Sequence, residues 1–157
     1  LTGKTPEPKY LDGPTAKFTP DEEVFARRLQ ESVTQEFGTT FKLAIDDEVH
    51  RTPKLGAGTG STDVGDISWH VPTGGLRTAC FASESPGHSW QNVAAISSTI
   101  GEKGTGYAAK VLACTTLDLL EDPKLPAAAK LDFARRMENR KYVTLIPAGQ
   151  KAPKSIR

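Results

Sequence analysis

The stretch TPDEEVFARRLQESVTQEFG, residues 19–38, carries the signals of an amphipathic helix at both of its ends. Thr19 stands at the N-cap position, Pro20 at the first helical position, and Glu22 completes a capping box with Thr19. Gly38 marks the end of the helix. Four apolar residues recur at every fourth position and predict one stripe that faces a core: Phe25, Leu29, Val33 and Phe37.

Two runs of β-forming residues follow this helix, DISWHVP at residues 66–72 and LRTACFA at residues 76–82, separated by TGG. They predict two strands. Because both faces of the second run are mostly apolar, it predicts an inner strand covered by helices. The alternation at residues 41–45 predicts a strand or an extended segment, and VTLIP at residues 143–147 predicts a last strand or an apolar strap.

Helical signals dominate the second half of the chain. KGTGYAAKVLACTTLDLLEDP, residues 103–123, has the broad apolar face typical of a helix buried between layers, and Pro123 ends it. Residues 89–98 predict a short helix, and residues 124–142 a more amphipathic one. Four positions of the latter are expected to point inward: Leu131, Phe133, Ala134 and Met137. The order helix, strand, strand, helix, helix predicts an α/β fold with helices packed on a small sheet.

Length and composition limit the classes of protein. The 157 residues fit one domain, and 37% hydrophobic residues, 25% charged residues and a net charge of +1 are typical of a soluble globular protein. The basic residues form no stripe for a nucleic acid, and no apolar run reaches the ~20 residues that cross a bilayer. We therefore expect neither a nucleic-acid nor a membrane partner.

The two cysteines, Cys80 and Cys114, have neither the number nor the spacing of a disulfide scaffold or a zinc site. We expect both thiols to be reduced and the protein to be cytoplasmic. Residues 1–17 are rich in Pro, Gly, Lys and Thr and predict a linker, and residues 148–157 predict a solvated tail. The folded part is expected at residues 18–147.

The sequence lacks the surroundings that a phosphate-binding loop or a serine or cysteine nucleophile requires. The glycines at residues 56–60 are followed by a β-rich run and not by the helix that a dinucleotide-binding loop requires, and no phosphate-loop lysine is present. There is no Gly-x-Ser-x-Gly elbow for a serine nucleophile, and Cys80 lies in an apolar run where thiols usually serve packing.

A metal site is the third chemistry, and it depends on three histidines. His50 is expected in a surface loop, and His70 is expected to be a partly buried, hydrogen-bonded side chain in a strand. His88 follows a Pro-Gly turn just after a predicted strand, which is the edge where α/β proteins build their sites. One histidine cannot make a metal site, which needs three or four ligands, so the residues leave His88 open as a ligand or as an ordinary loop residue.

Three motifs together, GSTDVGDISWHVPT, PGHSWQ and GEKGTGYAAKVLACTTLDLLEDP, resemble the C-terminal end of the aminobenzoyl-glutamate utilisation protein B type of amidohydrolase. These enzymes belong to the zinc aminoacylase and carboxypeptidase superfamily of metallopeptidases. The resemblance covers about residues 18–131, in the right order and at compatible spacing. It implies the C-terminal portion of a three-layer α/β/α catalytic domain, which a smaller dimerisation domain interrupts in the family.

The resemblance also implies a chemistry. Such enzymes hold a pair of divalent metals, zinc or manganese, and a glutamate acts as the base on a bridging water. A late histidine ligand of the family falls on His88. The loop STDVGD implies residues that bind substrate or support the ligands: Gly60, Ser61, Thr62, Asp63 and Asp66. We expect His88 and the two aspartates to face one cleft.

This chain departs from the family pattern in several places. Thr62 stands where relatives often have glutamate, and Glu102 stands where relatives of this subtype carry a histidine. No H-x-D-G-H pair, bridging-aspartate segment or Glu-Glu base motif is present, so no catalytic residue is predicted here. We expect the chain to be the last part of such an enzyme, to bind no metal tightly and to be inactive alone.

The resemblance implies two partners for this chain, the N-terminal half of its own catalytic domain and a small-molecule amide substrate. The reaction would be cleavage of the amide bond of an N-acyl amino acid such as aminobenzoyl-glutamate, and the full-length enzyme would be a homodimer. The alternative is a free-standing, non-catalytic module on the same scaffold that binds a small ligand or a protein.

Overall fold

The computed structural model describes residues 15–50 and 62–151 of the chain. Five helices lie in these ranges: α1 (Pro20–Phe37), α2 (Val64–Ile67), α3 (Trp90–Ile96), α4 (Thr99–Glu121) and α5 (Lys124–Met137). Most of the predicted linker, the Gly-rich loop up to Ser61, and the last six residues of the predicted tail lie outside the described residues.

The prediction of an α/β fold is wrong, because residues 15–50 and 62–151 contain helices and irregular segments but no strand. Residues 66–72, predicted as a strand, contain the end of α2 and the turns after it. The amides of Asp66 and Ile67 donate to the carbonyl of Asp63 at 3.1 and 3.3 Å, which closes a helical turn. Residues 76–82, 41–45 and 143–147 pair with no neighbouring strand in the described ranges. A β-forming sequence makes a sheet only where a partner strand is present.

Helix α1 confirms the predicted caps. The amide of Thr19 donates to Glu22 Oε2 at 2.6 Å, and the amide of Glu22 donates to Thr19 Oγ1 at 3.4 Å. Gly38 adopts the left-handed conformation, with φ of 70°. Leu29 and Val33 of the predicted stripe are buried, but Phe37 in the last turn is 60% exposed, since the stripe continues past the small core.

The core lies between α1, α3 and the first turns of α4. Residues 44–45 and 82, which lie in irregular segments, complete it. Its buried apolar cluster comprises Ala26, Leu29, Ala44, Ile45, Ala82, Ala95 and Ile100. Helix α3 contacts both α1 and α4, whereas α5 contacts α4.

Helix α4 begins four residues before the predicted start, because Ser98 caps it by accepting from the amide of Ile100 at 3.2 Å. The buried positions of α4 are Ile100, Gly101 and Gly104, so the predicted burial between layers is not seen along the rest of the helix. In α5, Phe133 and Met137 are half-buried, whereas Leu131 and Ala134, predicted inward, are exposed.

Glu22 joins the start of α1 to the start of α4. Its buried carboxylate accepts from Lys103 Nζ at 2.7 Å and from Thr99 Oγ1 at 2.5 Å, besides the capping bond from Thr19. Burial is the largest influence on the pKa of Glu22 and raises it. The hydrogen bonds from Lys103, Thr99 and Thr19 together outweigh burial and lower the pKa from 4.5 to about 2. The ionised form is thus the stable one in the fold.

We expect Glu22→Gln to lower the free energy of unfolding at pH 7 by about 2 kcal/mol, because the amide keeps the side-chain shape but loses the charge. The pKa of Glu22 in the folded chain lies below its ordinary value. The ionised Glu22 carboxylate therefore contributes its full stabilisation of the fold above pH 4.5, and this contribution is lost as the pH falls towards 2. Urea unfolding measures the free energy of unfolding of the parent protein and of Glu22→Gln at pH 7 and about pH 3. The difference between the two proteins should be smaller by about half at the lower pH. Glu23→Gln, exposed in the same turn, is the control; an equal gap at both pH values would contradict the prediction.

Candidate functional site

The predicted ligand His88 lies in a tight turn that leads into α3. Its φ is 58°, and Glu84 in the same turn has a φ of 56°, so two non-glycine residues adopt the left-handed region. Such a conformation costs of order 1 kcal/mol or more and persists where the surrounding contacts hold it. His88 is exposed, and its imidazole has no hydrogen-bond partner in the part of the chain that the structure describes.

Hydrogen bonds around Pro86 hold this turn. The carbonyl of Pro86 accepts from Ser89 Oγ at 2.8 Å and from Asn92 Nδ2 at 2.9 Å. Ser89 is the N-cap of α3 and accepts from the amide of Asn92 at 3.3 Å. His88 therefore immediately precedes a helix N-cap. The prediction that it follows a strand is wrong, because residues 76–82 form none.

Two buried oxygens lie within four residues of His88 in sequence and have no hydrogen-bond partner among the described residues: Ser85 Oγ and Asn92 Oδ1. The Asn92 amide is oriented by its bond from Nδ2 to Pro86, which leaves Oδ1 as the free acceptor. Buried polar atoms are rarely left unpaired, and such atoms cluster where a water, an ion or a ligand completes a site. Residues 85–92 thus carry both an exposed imidazole and two unsatisfied buried oxygens.

The aspartate-bearing loop forms α2. Thr62 Oγ1 accepts from the amide of Val64 at 3.5 Å, and Asp63 is the N-cap residue without a side-chain capping bond. Thr62, Asp63 and Asp66 are all exposed. Gly60 and Ser61, predicted in the same role, lie outside the described residues.

No hydrogen bond or ion pair joins His88 to Asp63 or Asp66 among the described residues, so the shared cleft stays a prediction. An open groove of about 860 Å³ lies elsewhere, between the N-terminal turns of α1 and α4, and Glu102 is one of its lining residues. Within residues 15–50 and 62–151, no group of three His, Cys, Asp or Glu side chains could hold a metal ion. The described residues therefore do not fit a complete metal centre.

The other two histidines have local partners. His50 is exposed, as predicted, and its Nε2 lies 2.7 Å from Asp46 Oδ1, a hydrogen bond that raises the pKa of His50. His70 is exposed and not partly buried. Its ring meets Tyr142 edge-on at a centroid distance of 4.9 Å, and Trp69 meets the same Tyr142 ring at 6.3 Å.

Sequence reasoning missed the polar residues that hold the site turn in place. Ser89 and Asn92 have the three-residue spacing of a cap, and this signal was available in the motif PGHSWQN. Gln30 had no signal, since it is an ordinary polar residue of a helix. Its Nε2 donates to the carbonyls of Leu43 at 2.7 Å and of Ser83 at 3.0 Å, the latter just before the site turn.

Comparison with known proteins supports the resemblance that the three motifs predicted. The chain is 37% identical over 87 residues to a subunit of the p-aminobenzoyl-glutamate hydrolase of Escherichia coli (strain K12), a match that covers 55% of this chain and 18% of that protein. The predicted resemblance is confirmed. The chain spans less than a fifth of the length of this relative, which is named as one subunit of a hydrolase.

The other comparisons gave no match. No family model matches the chain, and no solved structure does. In the described ranges, every helix is too short or too polar to span a membrane.

Proposed function

We propose that this chain contributes part of the active site of an amidohydrolase that cleaves N-acyl amino acids such as p-aminobenzoyl-glutamate. The observation that carries the proposal is the 37% identity to a p-aminobenzoyl-glutamate hydrolase subunit. The match covers 18% of that relative, and the described residues do not fit a complete metal centre. The proposal therefore includes a site whose other residues lie in another part of the enzyme, and we expect this chain alone to be inactive.

In this proposal, His88 supplies one ligand to a divalent metal, zinc or manganese, whose other ligands lie outside the described residues. The metal would supply Lewis-acid chemistry for amide hydrolysis. The support for His88 is an exposed imidazole without a partner in the described chain, on a residue whose backbone is left-handed, in a segment that also carries two unsatisfied buried oxygens. A ligand needs a free nitrogen and a fixed ring position, and the Pro86 hydrogen bonds fix the backbone of this turn.

Thr62, Asp63 and Asp66 have a separate role in the proposal. Their exposed side chains offer a hydroxyl and two carboxylates that can orient a substrate amide by hydrogen bonds. The partners that the proposal requires are the N-terminal half of the catalytic domain, the amide substrate and a second subunit of the enzyme. We place the enzyme in the cytoplasm.

A hybrid enzyme tests the proposal. The matched region of the Escherichia coli protein is replaced by the corresponding residues of this chain, and p-aminobenzoyl-glutamate hydrolysis and metal content are measured. We expect activity in the hybrid and none in the 157-residue chain. His88→Asn should lower kcat/KM at least about tenfold and lower metal content, because asparagine adopts the left-handed conformation but is a poor ligand.

Glu84→Asn is the matched control, since it changes the other left-handed residue of the same turn. It should leave kcat/KM within about twofold of the hybrid. An active hybrid that is unaffected by His88→Asn would exclude the ligand role, and hydrolysis by the 157-residue chain alone would exclude the proposed incompleteness.

A further inference from the structure

Three aromatic rings lie together directly after the aspartate-bearing helix α2. The ring of Tyr142 meets the ring of His70 edge-on, with a centroid distance of 4.9 Å and an interplanar angle of 66°. The same Tyr142 ring lies 6.3 Å from the ring of Trp69. Aromatic pairs attract each other at these separations. Because Tyr142 comes from the segment after α5, these contacts join two distant parts of the chain.

The ring cluster, as we call Trp69, His70 and Tyr142, is open to solvent. His70 is exposed, and Trp69 and Tyr142 are half-buried. Val71 and Val143, each of which follows one of these rings in sequence, are exposed as well. Apolar patches of this kind on a protein surface mark places where a ligand or another molecule binds.

The ring cluster lies within one helical turn of the acidic residues of α2. The amide of Trp69 donates to the carbonyl of Asp66 at 3.2 Å. The next amide, that of His70, donates to the carbonyl of Ile67 at 2.9 Å. Asp63 and Asp66, both exposed, thus belong to the same short segment as two of the rings. Aromatic side chains with a few polar groups beside them are the usual composition of a small-molecule site.

Charge decides which end of an N-acyl amino acid fits this segment. The amino-acid end carries carboxylates, which the carboxylates of Asp63 and Asp66 repel. The acyl end is uncharged. An aromatic acyl group can stack on the rings, and an amine on that group can donate a hydrogen bond to a carboxylate. The segment therefore favours an aromatic acyl group over the amino-acid end of the substrate.

We propose that the ring cluster binds the aromatic acyl group of the substrate and makes the enzyme selective for aromatic over aliphatic N-acyl amino acids. This inference rests on the proposed function and adds to it which end of the substrate lies at α2. Trp69 offers the largest stacking surface of the three residues. Tyr142 contacts both of the other rings and holds them in position.

A hybrid enzyme in which residues 62–151 come from this chain tests the inference with p-aminobenzoyl-glutamate and acetyl-glutamate, which differ in the acyl group. Trp69→Leu should raise KM for the aromatic substrate at least about fivefold, because leucine is apolar but cannot stack. The value of kcat should change less than about twofold, since stacking is the same in the ground state and the transition state. For acetyl-glutamate, both constants should stay within about twofold, and Trp69→Phe should restore most of the aromatic KM.

Phe37→Leu is the matched control, since it removes an exposed ring in the last turn of α1, outside the ring cluster. It should leave KM for both substrates within about twofold. Circular dichroism checks that the variants remain folded. If Trp69→Leu leaves both substrates unaffected or weakens both equally, the inference is overturned and the hydrolase proposal stands. Equal weakening would mean that another part of the enzyme packs on the ring cluster.

A binding measurement on the 157-residue chain decides the inference if the hybrid is inactive. p-Aminobenzamide, which has the ring and the amide but no amino-acid end, is titrated in the millimolar range into isotope-labelled Trp90→Phe protein, whose remaining tryptophan is Trp69. We expect a saturable shift of the indole N–H signal in the NMR spectrum, and none with acetamide. Such a shift beside an inactive hybrid would keep the ring site and reject the proposed function, whereas no saturable shift would reject the ring site.

Discussion

Gly104→Ala should lower the free energy of unfolding by about 4 kcal/mol, because the added methyl group has no space beside α4. An ideal Cβ at Gly104 would overlap the carbonyl oxygen of Ala79 and would lie 2.7 Å from Cys80 Sγ. The first of these contacts is with backbone, which cannot rotate away as a side chain end can. The methyl group must therefore push α4 away from the segment that carries Ala79.

The position of Gly104 explains why the cost is high. It is one of the buried residues of α4, and the same turns of this helix supply Ile100 to the core. Separating α4 from residues 79–80 would open the core beside Ala82 and would also strain the contact between Lys103 and Glu22, 2.7 Å in the folded chain. The added methyl group of Gly104→Ala should therefore disturb both the apolar core and the hydrogen bonds of the buried Glu22 carboxylate.

Gly106→Ala is the matched control, since it makes the same change two residues later in the same helix. Apart from its chain neighbours and the backbone of its own helix, no heavy atom of the described residues lies within 4 Å of an ideal Cβ there, so we expect the better helix propensity of alanine to stabilise by about 0.5–1 kcal/mol. The two variants should shift the midpoint of urea unfolding in opposite directions. A Gly104→Ala protein as stable as the parent would show that α4 and residues 79–80 are not in close contact.

Local signals predicted four of the five described helices, all except α2, because a helix forms its hydrogen bonds within one segment. The capping box of Thr19 and Glu22 and the left-handed Gly38 are present as expected, and α4 ends before Pro123. The strand at residues 76–82 was predicted from β-forming residues alone, and these describe only the backbone preference of the segment. Whether such a segment joins a sheet depends on another segment, and none pairs with it in the described ranges.

Part of the site was also visible in the sequence. The Pro-Gly corner placed His88 in a turn, and the motifs predicted the relationship that the comparison confirmed. The unsatisfied oxygens of Ser85 and Asn92 had no sequence signal, because burial and missing partners are properties of the packed chain. The same holds for Gln30, whose partners lie 13 and 53 residues away along the chain.

Gln30→Met should lower the free energy of unfolding by about 3 kcal/mol. Gln30 is 2% exposed, and its Nε2 donates to the carbonyls of Leu43 and Ser83 at 2.7 and 3.0 Å. The amide of Ser83 in turn donates to the carbonyl of Ala44 at 2.8 Å, so Gln30 fastens two irregular segments to α1 and to each other. Methionine fills nearly the same volume but donates nothing, which leaves two carbonyls without their donor in the interior.

Loss of the Gln30 hydrogen bonds should also loosen the turn that carries His88. Ser83 immediately precedes Glu84, the first left-handed residue of the turn that carries His88. If Gln30 holds the entry to that turn, the amide of Ser83 should exchange with deuterium faster in Gln30→Met, by more than the global loss of stability accounts for. Gln35→Met, exposed on the same helix, is the control and should change stability by less than about 0.5 kcal/mol. Equal stability of the Gln30 and Gln35 variants would mean that the interior carbonyls find other donors, and the strained turn would then be held by the Pro86 hydrogen bonds alone.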